Sequence, residues 1–245
     1  MDLQTPQISS RTGTGVKRSF LLAGCVALLV MAGCRSVPFE AAPRQPLPPG
    51  EPRQAVAEFA ASLPERFELA QSVTFRYWGR AVAALGYAKI DSRQRTFDLL
   101  CLNHVGVQLF HVVGDAATTD LRFALPEFTE RGDFVHTVGT DFRRVFFDWT
   151  PPADATVRVE NERILFRSTS EAGVLEYVFA GNPLRLQEKR FYPPGHRRRP
   201  AWKVSYYEYA PTLGKVLPRG AVLDNTQYGY RLILRTRDVM LDSSE

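Results

Sequence analysis

Twelve segments of this 245-residue chain alternate apolar and polar residues or run β-branched and aromatic, with Gly, Asn, Asp or Pro between them. They fall at 67–79, 82–90, 95–102, 106–113, 119–125, 156–160, 163–169, 174–180, 184–192, 202–209, 220–224 and 228–239. A period of two sends alternate side chains to one face, and short connections such as Asn103-His104-Val105 make consecutive strands antiparallel neighbours. Only two segments break this rhythm. Ala55, Val56, Phe59, Ala60 and Leu63 recur at helical spacing before Pro64. Asp133 can cap a second helix whose apolar positions are Phe134, Val138, Phe142, Val145 and Trp149, with Arg143 and Arg144 off that face and Pro151-Pro152 to end it. No repeat of fixed period and no second linker occurs, so 55–245 is expected to be a single domain.

A dozen amphipathic strands can close as a barrel, curl as a half-barrel or fold as a sandwich. The apolar sides here are unusually aromatic: Phe75, Tyr77, Phe97, Phe123, Tyr177, Phe179, Trp202, Tyr206 and Tyr230, with Leu232 beside them. One curved sheet cannot fill its own concave side, and the mid-chain helix carries a matching stripe. The expected fold is mainly β (α+β), a single curved antiparallel sheet forming a half-open β-barrel covered by one or two helices. Phe134, Val138, Phe142 and Val145 would form the lid, and the aromatic positions would line an apolar, ligand-binding cavity. Ordinary core packing is the competing reading of the same stripe.

Ahead of the domain, Arg11, Lys17 and Arg18 precede an almost uncharged apolar run, 19–34, in the layout of an export signal. The run is short for a membrane span, which needs about 20 apolar residues. Its end, Met31-Ala32-Gly33-Cys34, resembles the lipobox of bacterial lipoproteins, in which the cysteine becomes the acylated first residue. Leu22-Ala23-Gly24-Cys25 fits the consensus too but leaves only three residues between the basic cluster and the motif. The division expected is a signal peptide over 1–33, lipidated Cys34 with a Pro-rich tether over 34–54, and the domain over 55–245. By the same resemblance, Arg35 in place of Asp points to the outer membrane. Lys17-Arg18 also resembles a twin-arginine signal with Lys for the first Arg, so the export route stays open.

The lipobox, tether, first helix, many-stranded meander and mid-chain amphipathic helix together resemble the periplasmic lipoprotein carrier LolA and its outer-membrane receptor LolB. The stretch Leu217-Pro218-Arg219-Gly220-Ala221-Val222-Leu223-Asp224, followed by Gly229-Tyr230-Arg231-Leu232-Ile233-Leu234, looks like that superfamily's last hairpin. Phe75-Arg76-Tyr77 and the run 102–110 are similar to outer-membrane lipoproteins encoded beside aryl-polyene synthesis genes. The resemblance implies a half-open barrel that holds acyl chains. It also implies an outer-membrane lipoprotein facing the periplasm, with a lipid, fatty-acyl or polyene-type cargo and a periplasmic carrier protein as partner. Val105 and Val107 stand by position where the receptor carries an exposed apolar loop residue.

Removing 1–33 takes away Arg11, Lys17, Arg18 and Asp2 and lowers the formal charge from +5 to +3, too little to argue for a nucleic-acid partner. Cys101 then remains alone and is expected as a buried small hydrophobe. His104, His111, His136 and His196 show no metal-ligand spacing, and no Gly-x-Ser-x-Gly elbow, phosphate-cradling Gly-rich loop or Cys-x-x-Cys occurs. His136 beside Asp133 reads as a capped helix start. No enzyme, metal or cofactor is expected. Arg197, Arg198 and Arg199 are placed to meet a lipid headgroup, an acidic partner or solvent. The function expected is binding and transfer of an acylated cargo at the outer membrane, and the alternative is a membrane-tethered interaction scaffold with a solid core.

Overall fold

The structure is a computed structural model that describes residues 37–43, 45–130, 132–196 and 198–241. Cys34, its lipobox, the expected signal peptide and Arg197 lie outside the described residues. Twelve strands form one antiparallel sheet: β1 (Arg66–Tyr77), β2 (Arg80–Asp91), β3 (Thr96–Leu102), β4 (Gln108–Gly114), β5 (Thr119–Ala124), β6 (Thr156–Val159), β7 (Arg163–Ser170), β8 (Gly173–Ala180), β9 (Arg185–Tyr192), β10 (Trp202–Thr212), β11 (Lys215–Asn225) and β12 (Tyr230–Leu241). Their spatial order is β5-β4-β3-β2-β1-β12-β11-β10-β9-β8-β7-β6, so β1 and β12 join two meanders at the centre and β5 and β6 are free edges. The barrel stays open between those edges.

Three helices accompany the sheet: α1 (Pro52–Ala61), a single turn α2 (Pro126–Thr129) and α3 (Phe134–Phe146). The α1 helix begins at Pro52, where the sequence pattern turns helical, because proline suits the first helical position and the Glu51 side chain accepts from Gln54 N at 2.9 Å. It buries Val56 and Phe59, the latter edge-on to Phe179 with ring centroids 5.7 Å apart. The α3 helix carries the chain from one free edge of the sheet towards the other and packs its apolar stripe on the concave face.

The strand expected over 220–224 begins earlier, at Lys215, and β11 runs through Pro218. Pro218 stands opposite Tyr209 of β10, and the pairing of β11 with β12 begins only at Gly220, so no ladder donor is missed. The Pro-rich segment expected to stand free as a tether instead lies against the convex face from Phe39 onward. Phe39 stacks on Tyr207 at 5.2 Å, and the Arg235 guanidinium sits 4.6 Å from its ring centre. A Cβ on Gly220 would come within 2.5 Å of that ring, which accounts for glycine in the middle of a central strand. Phe39–Glu245 is one compact unit that contains the whole core described above.

Helix and sheet approach closely at Gly139 of α3, where an added Cβ would overlap the Thr119 side chain of β5. Arg143 holds that threonine in place by donating to its Oγ1 at 2.8 Å and to Asp115 O at 2.7 Å. Alanine in place of glycine stabilises an open helix by about 1 kcal/mol. Here overpacking outweighs that gain, and Gly139→Ala is expected to lose about 1–2 kcal/mol in urea denaturation. A raised midpoint would contradict the packing of α3 on β5.

Candidate functional site

The concave face and α3 make one apolar unit. Asp133 caps the helix by accepting from His136 N at 3.2 Å, so this pair is structural, and the helix then buries Phe142, Val145 and Phe146. Phe142 stacks on Phe97 at 4.3 Å, and Phe134 meets Phe110 edge-on at 5.1 Å. Val138 and Val135 are half-buried against the same cluster. The helix ends at Phe146 rather than at Trp149, because Phe147 is extended and Asp148 takes a left-handed φ of 52°. Trp149 nevertheless reaches the core, 5.5 Å from Tyr206.

Of the residues expected to line a cavity, Phe97, Tyr177, Phe179, Trp202 and Tyr206 are buried in this interior, where side chains of α3 and its C-terminal extension fill the space. The open hollow expected there is closed by those contacts. Phe75 and Tyr77, at 38% and 46% exposure, form the other part of the site, an uncovered mouth. Phe75 lies 5.3 Å from Tyr230, while Leu232 opposite it is half-buried and Val82 is exposed. Length explains the division: thirteen helical residues reach about 20 Å, whereas the twelve of β1 extend about 40 Å. Phe123 departs from expectation. A bulge between His111 and Val112 shifts the register of β5, so Phe123 pairs with His111, outside the core, and is 42% exposed.

Polar contacts latch the lid. Tyr206 Oη and Trp149 Nε1 both donate to Val145 O, at 2.7 and 2.8 Å. Lys189 Nζ, buried, donates to Phe147 O at 2.7 Å just past the helix end. One turn earlier on the helix, Tyr230 Oη donates to Asp141 Oδ2, and Asn225 Nδ2 donates to Tyr230 Oη at 2.9 Å. Arg144 donates to Asp141 Oδ1 at 3.0 Å while its guanidinium lies over Trp202. Burial raises the Asp141 carboxyl above its ordinary range against the pull of Tyr230 and Arg144. Burial also pushes the Lys189 ammonium down to about 7.

None of Asp141, Lys189 and Asn225 stands out in the sequence. Lys189 is masked by a bulge between Val178 and Phe179, which places it opposite Tyr177 in the interior although plain alternation from Leu184 and Leu186 sends it outward. Asp141 could have been noticed, since it flanks the apolar stripe between Val138 and Val145 with Arg144 one turn on. Cys101 is buried and its thiol is pushed up to about 11 by that burial, so it is protonated at neutral pH. Arg198 and Arg199 are exposed on the loop between β9 and β10, and Val105 and Val107 are exposed between β3 and β4. Among the described residues no cluster of His, Cys, Asp and Glu could hold a metal ion.

Comparison with known proteins gives a fold and no closer kinship. No protein-family model and no curated protein matches the chain. A LolA superfamily protein from Nitrosomonas europaea superposes with a TM-score of 0.52 at 10% identity, over 78% of this chain and 94% of that one. An outer-membrane lipoprotein-sorting protein domain from Vibrio parahaemolyticus gives 0.48 at 11% identity over 78% and 92%. A DUF1329 family protein from Desulfovibrio piger gives 0.49 at 7% over the same shares. The fold is therefore LolA-like: an open antiparallel sheet with helices on its concave side.

Unfolded, Lys189 keeps its proton up to its ordinary value of 10.5, whereas folded it releases it near 7. Between those values the unfolded chain binds more protons, so this site makes stability rise with pH by up to about 1.4 kcal/mol per unit. Lys189→Met removes the dependence. In paired thermal melts, the variant's Tm relative to the parent is expected to climb as pH falls from 9 to 7 and to level off below about 6. A difference that stays constant with pH would place the ammonium in contact with water.

Proposed function

We propose that this protein is an outer-membrane lipoprotein, anchored through Cys34 and facing the periplasm, that binds a lipid or other acylated cargo between its sheet and α3 and assists its transfer to the membrane. The observation that carries the reading is the way α3 covers the concave face: apolar, aromatic, and incomplete. Phe142, Val145 and Phe146 bury roughly 1.5–3 kcal/mol each by leaving water, and an acyl chain entering from the Phe75–Tyr77 mouth would offer the sheet a comparable surface. Cargo and helix then compete for one face, so loading exchanges apolar contacts and makes or breaks no bond. The LolA-like fold supports the direction of this reading. Aryl-polyene lipids are one cargo class consistent with it.

The filled interior favours a second reading, a membrane-tethered scaffold whose core never opens. Gly139 and Thr119 lie close enough for a cysteine pair to bridge helix and sheet with a small shift. Oxidised Gly139→Cys/Thr119→Cys protein is expected to lose at least tenfold in uptake of a fluorescent long-chain fatty acid, with recovery on reduction. Uptake equal in both redox states would remove α3 as the gate, and absence of uptake in the parent protein would favour the scaffold.

A further inference from the structure

The hairpins between β1 and β2, between β12 and β11, and between β10 and β9 are consecutive along the sheet and all turn at the same end. Their tips, 76–82, 225–231 and 192–202, contain no Asp or Glu, while they carry Arg76, Arg80, Arg198 and Arg199. The opposite end carries both signs, with Asp91, Asp115, Glu160 and Glu162 beside Arg66, Arg93, Arg163 and Lys215, while at this end the acid nearest the three tips on a turn is Glu171, between β7 and β8. Arg76 stands directly across from Arg231, and Asp224 pairs with Arg231. Like charges at facing positions repel, so a further anion is favoured there. Trp78, 82% exposed, sits at φ 50° in a two-residue turn that Asn, Asp or Gly would occupy with less strain. Tyr228 on the neighbouring tip is 60% exposed. Amphipathic aromatics beside arginines at one rim match the headgroup layer of a bilayer, where Trp and Tyr sit at the apolar boundary and cations meet lipid phosphate.

We propose that this rim is a second membrane contact, seating the body end-on in an anionic phospholipid surface through Trp78, Tyr228 and the arginines of the three tips. The proposal rests on the rim alone; if Cys34 is the lipid anchor, as proposed above, its acyl chains add to the same membrane attachment. The Phe75–Tyr77 mouth opens at the same rim, so an acyl chain would pass between membrane and sheet without crossing water.

Residues 39–245, the compact unit without the anchor, provide the test by co-sedimentation with vesicles of phosphatidylcholine alone or with 30% phosphatidylglycerol. Binding to the anionic vesicles with a blue shift of tryptophan emission is expected, and Trp149 and Trp202 are already buried. Trp78→Ala/Tyr228→Ala and, separately, Arg76→Gln/Arg80→Gln are each expected to weaken it at least tenfold, while Leu213→Ser at the far end leaves it unchanged. Equal binding by parent and rim variants, or no binding by the parent, would overturn the proposal. Fatty-acid uptake measured on the same variants reports on the cargo reading separately, because none of these residues lies in the interior.

Discussion

An open sheet with an aromatic concave face cannot be left bare in water, and the rest of this molecule follows from how that face is covered. The two free edges, β5 and β6, prevent the sheet from closing on itself. The segment that joins those edges in sequence is the one that supplies the cover, so topology delivers α3 to the place where its stripe is needed. Phe97 against Phe142 is the centre of this contact, and Tyr206, Trp149 and Lys189 fix the C-terminal end of the helix by its own carbonyls.

The cover is stable without being permanent in kind. Its apolar part is non-directional, so under the proposed function an acyl chain would compete with it for the same surface. Its polar part is directional and concentrated in a few groups that join helix to sheet: Asp141 with Tyr230, Val145 O with Tyr206, and Phe147 O with Lys189. These cannot be replaced by an acyl chain, so they set the cost of lifting the helix. Asp141 and Lys189 are both buried, and that burial raises the Asp141 carboxyl and lowers the Lys189 ammonium.

Most of the architecture was legible in the sequence because periodicity reports it directly. The twelve strands, the helix after Asp133 and the inward aromatics at Phe97, Tyr177, Phe179, Trp202 and Tyr206 all follow from spacing. What escaped was governed by single-residue irregularities. Bulges reversed Phe123 and Lys189, since one extra residue flips every side chain beyond it. Phe39 looked like part of a solvated linker because its partners, Tyr207, Gly220 and Arg235, are more than 160 residues away in sequence. The division of the site into a packed interior and an open mouth depends on helix length against strand length, which no local pattern states.

The central claim is that α3 and an acyl chain occupy the concave face in alternation. Spin labels at His136, exposed on α3, and at Tyr87, exposed on β2, allow the separation of helix and sheet to be measured by pulsed electron resonance with and without a bound long-chain fatty acid. The account predicts a shift of the distance distribution to longer values when the fatty acid binds. An unchanged distribution at saturation would mean that the ligand binds elsewhere and that the helix is simply part of the core.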